Sequence, residues 1–500
     1  MRRDPVVVIG AGVGGLSAAI HLAAAGERVV VFEQNAQVGG KMGEICESGY
    51  RWDTGPSLIT MRDVFEDLFH YAGKKLEDYI HLQPIKPLGR FFYSNGPILD
   101  VTHDVPSMFE QIRQIAPNDI SGYSAFLSYV SRLYQIVGPV FIFNEPPSLN
   151  TMLRVSPWEA LRFDGFRSMS EAIRSFVHSV EIRQLLERFA TYVGSNPFRT
   201  PATLNVIAHV ELNQGVWYPR TGIFAIARAM KALAQELGIE IYTKTRVDRI
   251  VIKDGHVVGV QLIDGEKIPA SAVVANLDVA LVHRNLLASE SWSAALAKKI
   301  ERAERSCSAF VMLLGVNKEH TELAHHNTFF SSDYAREFRD IFERGIPPQD
   351  PTIYVSISSK SDPQDAPAGS ENWFVQVNVP ALNQHWDWSL RAEDYADLIL
   401  RNLAARGFDI QRNFIIRELI TPQDIADRTG AWRGALYGAS SNNRWAAFRR
   451  IHNRSGKVKG LYFAGGTTHP GGGVPMAALS GRIAGRMFLE DYDKRNHSNT

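Results

Sequence analysis

The chain has 500 residues, 45% hydrophobic and 21% charged, which is enough for two or three domains and rules out a disordered protein. Lys and Arg total 54 against 53 Asp and Glu, so the basic excess of a general nucleic-acid binder is missing. Two cysteines, Cys46 and Cys307, exclude a disulfide scaffold and a cysteine-rich zinc or iron–sulfur site.

Met1 to Pro5 runs straight into the β-branched stretch Val6 to Ile9, which leaves no room for a signal peptide and implies a cytoplasmic protein. Gly10-Ala11-Gly12-Val13-Gly14-Gly15 follows, then an alanine-rich helix over Leu16 to Ala25 that stops at Gly26. A second apolar strand, Val29 to Phe32, closes on Glu33. Strand, glycine turn, helix, strand and acid in this order form a dinucleotide-binding unit. Gly10 permits the turn, Gly12 admits a pyrophosphate, Gly14 continues the run, and Gly15 allows close helix–strand packing. Free N–H groups at the helix start favour the diphosphate. Glu33 can accept a bond from a ribose hydroxyl and would repel a 2′-phosphate.

Further on, Val38-Gly39-Gly40-Lys41-Met42 marks a second glycine pair. The longest apolar run, Ile136 to Phe143, holds Gly138 and Pro139, so no membrane-spanning helix is expected. Ser156-Pro157-Trp158-Glu159 has the pattern of a capped helix start. An apolar-periodic helix covers Ile223 to Leu237, and a strand covers Ile239 to Thr245. Val247 to Ile252, Val257 to Ile263 and a short strand after Glu266 are separated by Asp254-Gly255 and Asp264-Gly265, the signature of an antiparallel meander. Ala272 to Asn276 returns as a buried strand. Phe310 to Val316, Thr352 to Ser358 and Trp373 to Val379 also have strand patterns. Near the end, Gly460 to Ala464 is a strand. It leads through Gly465-Gly466-Thr467-Thr468-His469-Pro470-Gly471-Gly472-Gly473-Val474-Pro475 into a helix over Met476 to Leu489. So many glycines at a strand-to-helix turn imply backbone lying against a flat ligand.

Several motifs are missing. The sequence has no second GxGxxG, no CxxC, no GxSxG, no HExxH and no histidine cluster, so metal ligands are expected to be none. Cys46 is expected to be a small core residue.

The stretches Val38 to Met42 and Leu461 to Gly481, with Tyr192 to Pro197 and Gly434 to Gly438, resemble the carotenoid desaturase family of FAD flavoproteins. These are the phytoene desaturase-like relatives of the amine oxidases. The resemblance covers essentially the whole chain. It implies an α/β fold: a Rossmann-type FAD-binding domain from residues 1–95, 215–290 and 416–500, with an inserted α+β substrate domain from 96–214 and 291–415 that includes a helical region. It further implies that Gly39, Gly40 and Lys41 run along FAD, that the Val247 backbone meets the adenine, and that Gly465, Gly466, Gly472, Gly473 and Val474 face the flavin. The implied partner is a long apolar polyene, a carotenoid. Quinone or oxygen would be the electron acceptor, and the oligomeric state is left open.

A polyene confined to a bilayer calls for peripheral docking on a membrane surface. One candidate patch spans Ile136 to Phe166, with Phe141, Phe143, Leu153, Trp158, Leu161 and Phe163 beside Arg154 and Arg162. The basic stretch Arg444 to Lys459 is another, and a buried hairpin and a solvated face are their respective alternatives. Met476 to Ser480 leans toward desaturases that act on the 3,4 bond of 1-hydroxycarotenoids. Phytoene desaturation and oxygenation of a terminal methyl are the alternatives within the family. An amine oxidase and a non-enzymatic prenyl-lipid escort protein are the rivals from other classes. No catalytic base can be assigned.

Overall fold

The computed structural model describes residues 4–146 and 163–498. Five parallel strands lie in the order Leu461–Phe463, Ala272–Ala275, Val6–Ile9, Val29–Phe32 and Glu240–Tyr242. Most of these strands are apolar throughout because both faces of the sheet are covered. Val6, Val8, Val29, Val31, Ala272 and Val274 belong to one core, shared with helices Val13–Ala24 and Val474–Ser498. Val7, Ile9, Val30, Phe32, Val273 and Ala275 belong to another, shared with the meander Val247–Lys253, His256–Leu262 and Lys267–Pro269. Each valine so enclosed contributes about 1.5–3 kcal/mol relative to exposure. The first meander turn has φ of 50° at Asp254 and 73° at Gly255, the left-handed pair that matches strand twist.

A second sheet has seven strands in the order Phe414–Ile420, Ser308–Val316, Glu371–Val379, Ile353–Ile357, His326–Phe329, Gly89–Phe92 and Ile98–Val101. Here side chains alternate between two environments. Phe310, Met312, Leu314, Trp373, Val375 and Val377 pack with helix Trp388–Ala405. Ala309, Val311, Phe374, Gln376 and Asn378 line a cavity on the opposite side. The expected domain limits at 95 and 415 both fall inside this sheet: the hairpin Gly89–Phe92/Ile98–Val101 spans one and strand Phe414–Ile420 straddles the other.

Helices dominate among the described residues between the hairpin and residue 214. Contrary to expectation, the stretch Pro117–Ile142 is long and apolar enough to cross a membrane by length and composition. Only one side of it is apolar and buried, through Tyr123, Phe126, Val130, Leu133 and Val137. Ser121, Ser124, Ser128, Arg132 and Gln135 are exposed, the pattern of a surface helix packed on a core. Phe141 is half-buried against Phe163 and Phe448, with ring centroids 5.5 and 5.7 Å away, and Phe143 packs edge-on to Tyr134. Leu153, Arg154, Trp158, Leu161, Arg162 and the capped start at Ser156 lie outside the described residues.

Two expectations need correction. Cys46 is exposed rather than a core residue, because it ends a two-stranded hairpin, Glu44–Glu47 with Tyr50–Asp53, whose first strand projects outward. The basic stretch is not one solvated face either: Arg450 is largely buried and donates to the Pro470 carbonyl, and Arg454 pairs with Asp491 at 2.8 Å.

Candidate active site

A cavity of about 500 Å³ is bounded by both sheets. At one end it meets the glycine turn after strand Val6–Ile9. Helix Val13–Ala24 begins there with Gly12 as its cap, no side-chain cap bond and no acid in its first turn, so its positive end stays open to the cavity. Gly10 has φ of 92°, and a Cβ there would lie 2.7 Å from the Asn276 carbonyl oxygen. Gly10, Gly12 and Gly14 line the cavity. Gly15 does not: a Cβ on it would fall 2.0 Å from the Gly10 carbonyl oxygen, so its role is packing.

Glu33 is buried and forms no ion pair among the described residues. Its Oε2 accepts from the Ala11 N–H at 2.7 Å and its Oε1 from the Asn35 N–H at 2.9 Å. Each oxygen keeps a second lone pair for a ligand. Gly39 and Gly40 lie against the same turn, with the Gly39 N–H donating to the Ala11 carbonyl at 2.8 Å. Lys41 lines the cavity and donates to the carbonyls of Ala435 (3.4 Å) and Leu436. Burial lowers its pKa, and Asp278 opposes that shift. Val247 lies on the wall beside Thr245 and Arg246.

Gly465, Gly466, Gly472, Gly473 and Val474 all reach the same cavity. Helix Val474–Ser498 starts from this turn and crosses helix Val13–Ala24 at very close range. A Cβ on Gly481 would fall 2.1 Å from the Gly14 carbonyl oxygen, and Ser17 Oγ donates to the Ala478 carbonyl at 2.7 Å. Two helix N-termini therefore open on one cavity. Of the Met476–Ser480 motif, Ala478, Leu479 and Ser480 are buried, Ala478 at that crossing.

Two positions at this end were given no role in the site by the sequence reading. Asn276 donates to the Gly10 carbonyl at 3.1 Å, and a Cβ on Gly465 or Gly14 would lie 2.6 or 2.7 Å from its Oδ1. The available signal was a polar residue closing an all-apolar strand. Ser480 Oγ takes the Gly465 N–H at 3.1 Å and the Asn453 amide at 3.0 Å, and bonds with Thr468 Oγ1 at 2.8 Å, which pins the turn. The two other stretches that carried the resemblance meet nearby: a Cβ on Gly194 or on Gly472 would lie 2.6 Å from the Tyr437 ring.

The other end of the cavity is built from side chains. Arg188 pairs with Glu211, Tyr192 donates to the same carboxylate, and the guanidinium sits 4.8 Å from the Phe91 ring centre and 4.4 Å from that of Phe189. His326 Nδ1 bonds with Tyr354 OH at 2.7 Å, and Tyr354 bonds in turn with Ser57 Oγ at 2.7 Å. Burial, reinforced by His325 and Arg188, holds the His326 pKa well below its ordinary value. Glu337 accepts from Ser331 and Thr352, each at 2.7 Å, while burial pushes its pKa up to about 7. Apart from Tyr192, which opens a stretch that carried the resemblance, no sequence motif marks these groups.

The first end fits a dinucleotide. It offers a buried carboxylate with free lone pairs, an uncapped helix N-terminus, and Arg428 on the wall with its Nε unpartnered. The sequence pattern of the flavin containing amine oxidoreductases matches residues 13–486. The chain is 36% identical to a 4,4′-diapolycopene oxygenase of Methylomonas sp, over 97% of this chain and 98% of that one. It is 33% identical to a 4,4′-diaponeurosporene oxygenase of Staphylococcus haemolyticus, over 96% of each chain. An oxidoreductase structure from Methanosarcina mazei shares the fold, with a TM-score of 0.66 and 17% identity over 97% of this chain and 100% of that one.

Proposed function

Because the chain belongs to the flavin containing amine oxidoreductase family, an FAD-dependent oxidoreductase family, we propose that it oxygenates a terminal methyl carbon of a carotenoid. The observation that carries this reading is the near-complete coverage of relatives named as oxygenases of diapolycopene and diaponeurosporene. The sequence lean toward 3,4-desaturation gives way because the relatives covered over nearly their whole length are named as oxygenases.

In this reading Glu33 holds the ribose, and the helix end at Gly12 to Gly14 holds the diphosphate with Arg428 nearby. The backbones of Gly39, Gly40 and Val247 run along the adenosine half. The turn from Gly465 to Gly473 carries the ring system. When bound, FAD would supply two-electron oxidation by accepting a hydride from the terminal methyl carbon, and a water molecule would supply the oxygen that the carbon gains. The chain itself orients that carbon and excludes bulk water. Water adding to the resulting polyene cation becomes strongly acidic and loses its proton readily, so this step needs no strong base.

The electron acceptor would be a quinone or oxygen. The protein would work on the cytoplasmic side as a peripheral membrane protein. Phe166 (77% exposed), Trp445 (55%) and Phe448 (40%), with exposed Arg444 and Arg449, support docking.

The test is the mass of the product formed from liposomal carotenoids by FAD-loaded protein, with amines run alongside. Gain of one oxygen, or of one oxygen with loss of two hydrogens, is the expected result. Loss of two hydrogens alone would make the protein a desaturase. Turnover of amines only would remove the carotenoid reading.

A further inference from the structure

We propose that the side-chain-built end of the cavity binds an oxygen atom already carried by the polyene, through Arg188, His326 and Tyr334. This rests on the carotenoid reading above and adds a recognised group to it: a terminal alcohol or aldehyde.

Three polar atoms there, Arg188 Nε, His326 Nε2 and Tyr334 OH, are buried without a hydrogen-bond partner, and all three residues line the cavity. A pure hydrocarbon would leave them so, at a cost of about 1–3 kcal/mol for each. They are also held in place. Glu211 and the Phe91 and Phe189 rings fix the guanidinium. Tyr354 orients the imidazole. Phe330 and Phe338 hold the Tyr334 ring edge-on, at 5.7 and 5.0 Å. Groups fixed in advance lose little entropy when a ligand arrives.

The donor set selects the ligand. A guanidinium N–H can only donate, and a phenol can donate, so an oxygen with free lone pairs satisfies both. A carboxylate is the poorer fit, because Glu211 already neutralises Arg188 and would repel a second negative charge beside it. A neutral carbonyl or hydroxyl brings no such repulsion.

The experiment compares a polyene aldehyde with the hydrocarbon polyene of the same length, both delivered in detergent micelles to FAD-loaded full-length protein. Binding is read by tryptophan quenching and by the visible band of the polyene, which moves to longer wavelength when its carbonyl accepts a hydrogen bond. The wild type should prefer the aldehyde and shift its band. Tyr334→Phe, which keeps the ring and removes only the hydroxyl, should cut that preference about tenfold. Arg188→Lys, which keeps the charge beside Glu211 but lacks the Nε–H, should cut it too. Equal preference in all three proteins with an unshifted band would overturn this inference and leave the carotenoid reading standing. Failure of both polyenes to bind the wild type would overturn the two together.

Discussion

At one end of the cavity the chain presents mainly backbone, and at the other it presents side chains. The first end is made of turns at Gly10 to Gly14, Gly39 to Gly40 and Gly465 to Gly473, with Glu33 as its main recognition side chain. The second gathers Arg188 and Tyr192 from one helical turn, Glu211 from another helix, and His326, Tyr354, Gln376 and Asn378 from three strands. Backbone offers the same groups whatever the sequence, so such a site needs little more than room for close approach and suits a fixed cofactor. Side chains can be exchanged one at a time, so the second end is where related proteins can diverge in substrate.

Damage should therefore follow different rules at the two ends. The largest effect is expected for Gly472→Leu, because a Cβ there would already lie 2.6 Å from the Tyr437 ring. Overpacking of this kind costs about 1–3 kcal/mol, and the purified variant should carry less than about a tenth of the normal flavin by absorbance. Normal flavin content would show that the turn does not meet the ring system.

Glu337→Gln tests the other end through pH. The native carboxyl holds its proton up to about pH 7, whereas the unfolded chain releases it near 4.5. Stability from this group is therefore lost as pH rises between those values, by about 3 kcal/mol. The glutamine variant should show none of this loss, so its stability relative to wild type should climb across that window in urea titrations. The buried histidines titrate in the opposite sense, but they are common to both proteins and cancel in the difference. Parallel curves would mean that Glu337 is not held neutral.

Glu33→Ala comes next. It removes the ribose acceptor and leaves two N–H groups without a partner, so FAD should bind about 10–100-fold more weakly in a flavin titration. Unchanged affinity would detach the carboxylate from the cofactor. The smallest effect is expected for Trp445→Ala with Phe448→Ala. Loss of about 1 kcal/mol of apolar insertion should reduce liposome flotation roughly fivefold, and no reduction would place the docking surface elsewhere.

The contrast between the ends also explains what could be read from the sequence. Val6 to Glu33 is one continuous strand–turn–helix–strand, so local pattern alone located it. The meander and the turn into Val474 were legible for the same reason. Arg188, Glu211 and His326 are ordinary residues in their own segments. They become a site only when a helical turn, a separate helix and a strand come together across the cavity. The strand expected over Trp373 to Val379 is present, but its sequence could not tell which face is core and which is cavity. Asn276 fell between, since its strand was recognised but its closing polar residue was not given a role.

The crossing at Gly14 and Gly481 has a consequence for biosynthesis. Strand Leu461–Phe463 and helix Val474–Ser498 are translated more than 400 residues after Val6–Ile9 and Val13–Ala24, yet they complete the sheet and helix pair begun there. Until they emerge, the Ala272–Ala275 strand has a bare edge, and the nascent protein depends on contacts of very long sequence separation. If the Gly465–Gly473 turn carries the flavin as proposed, a yellow protein is one in which this late segment has emerged and closed on the first helix.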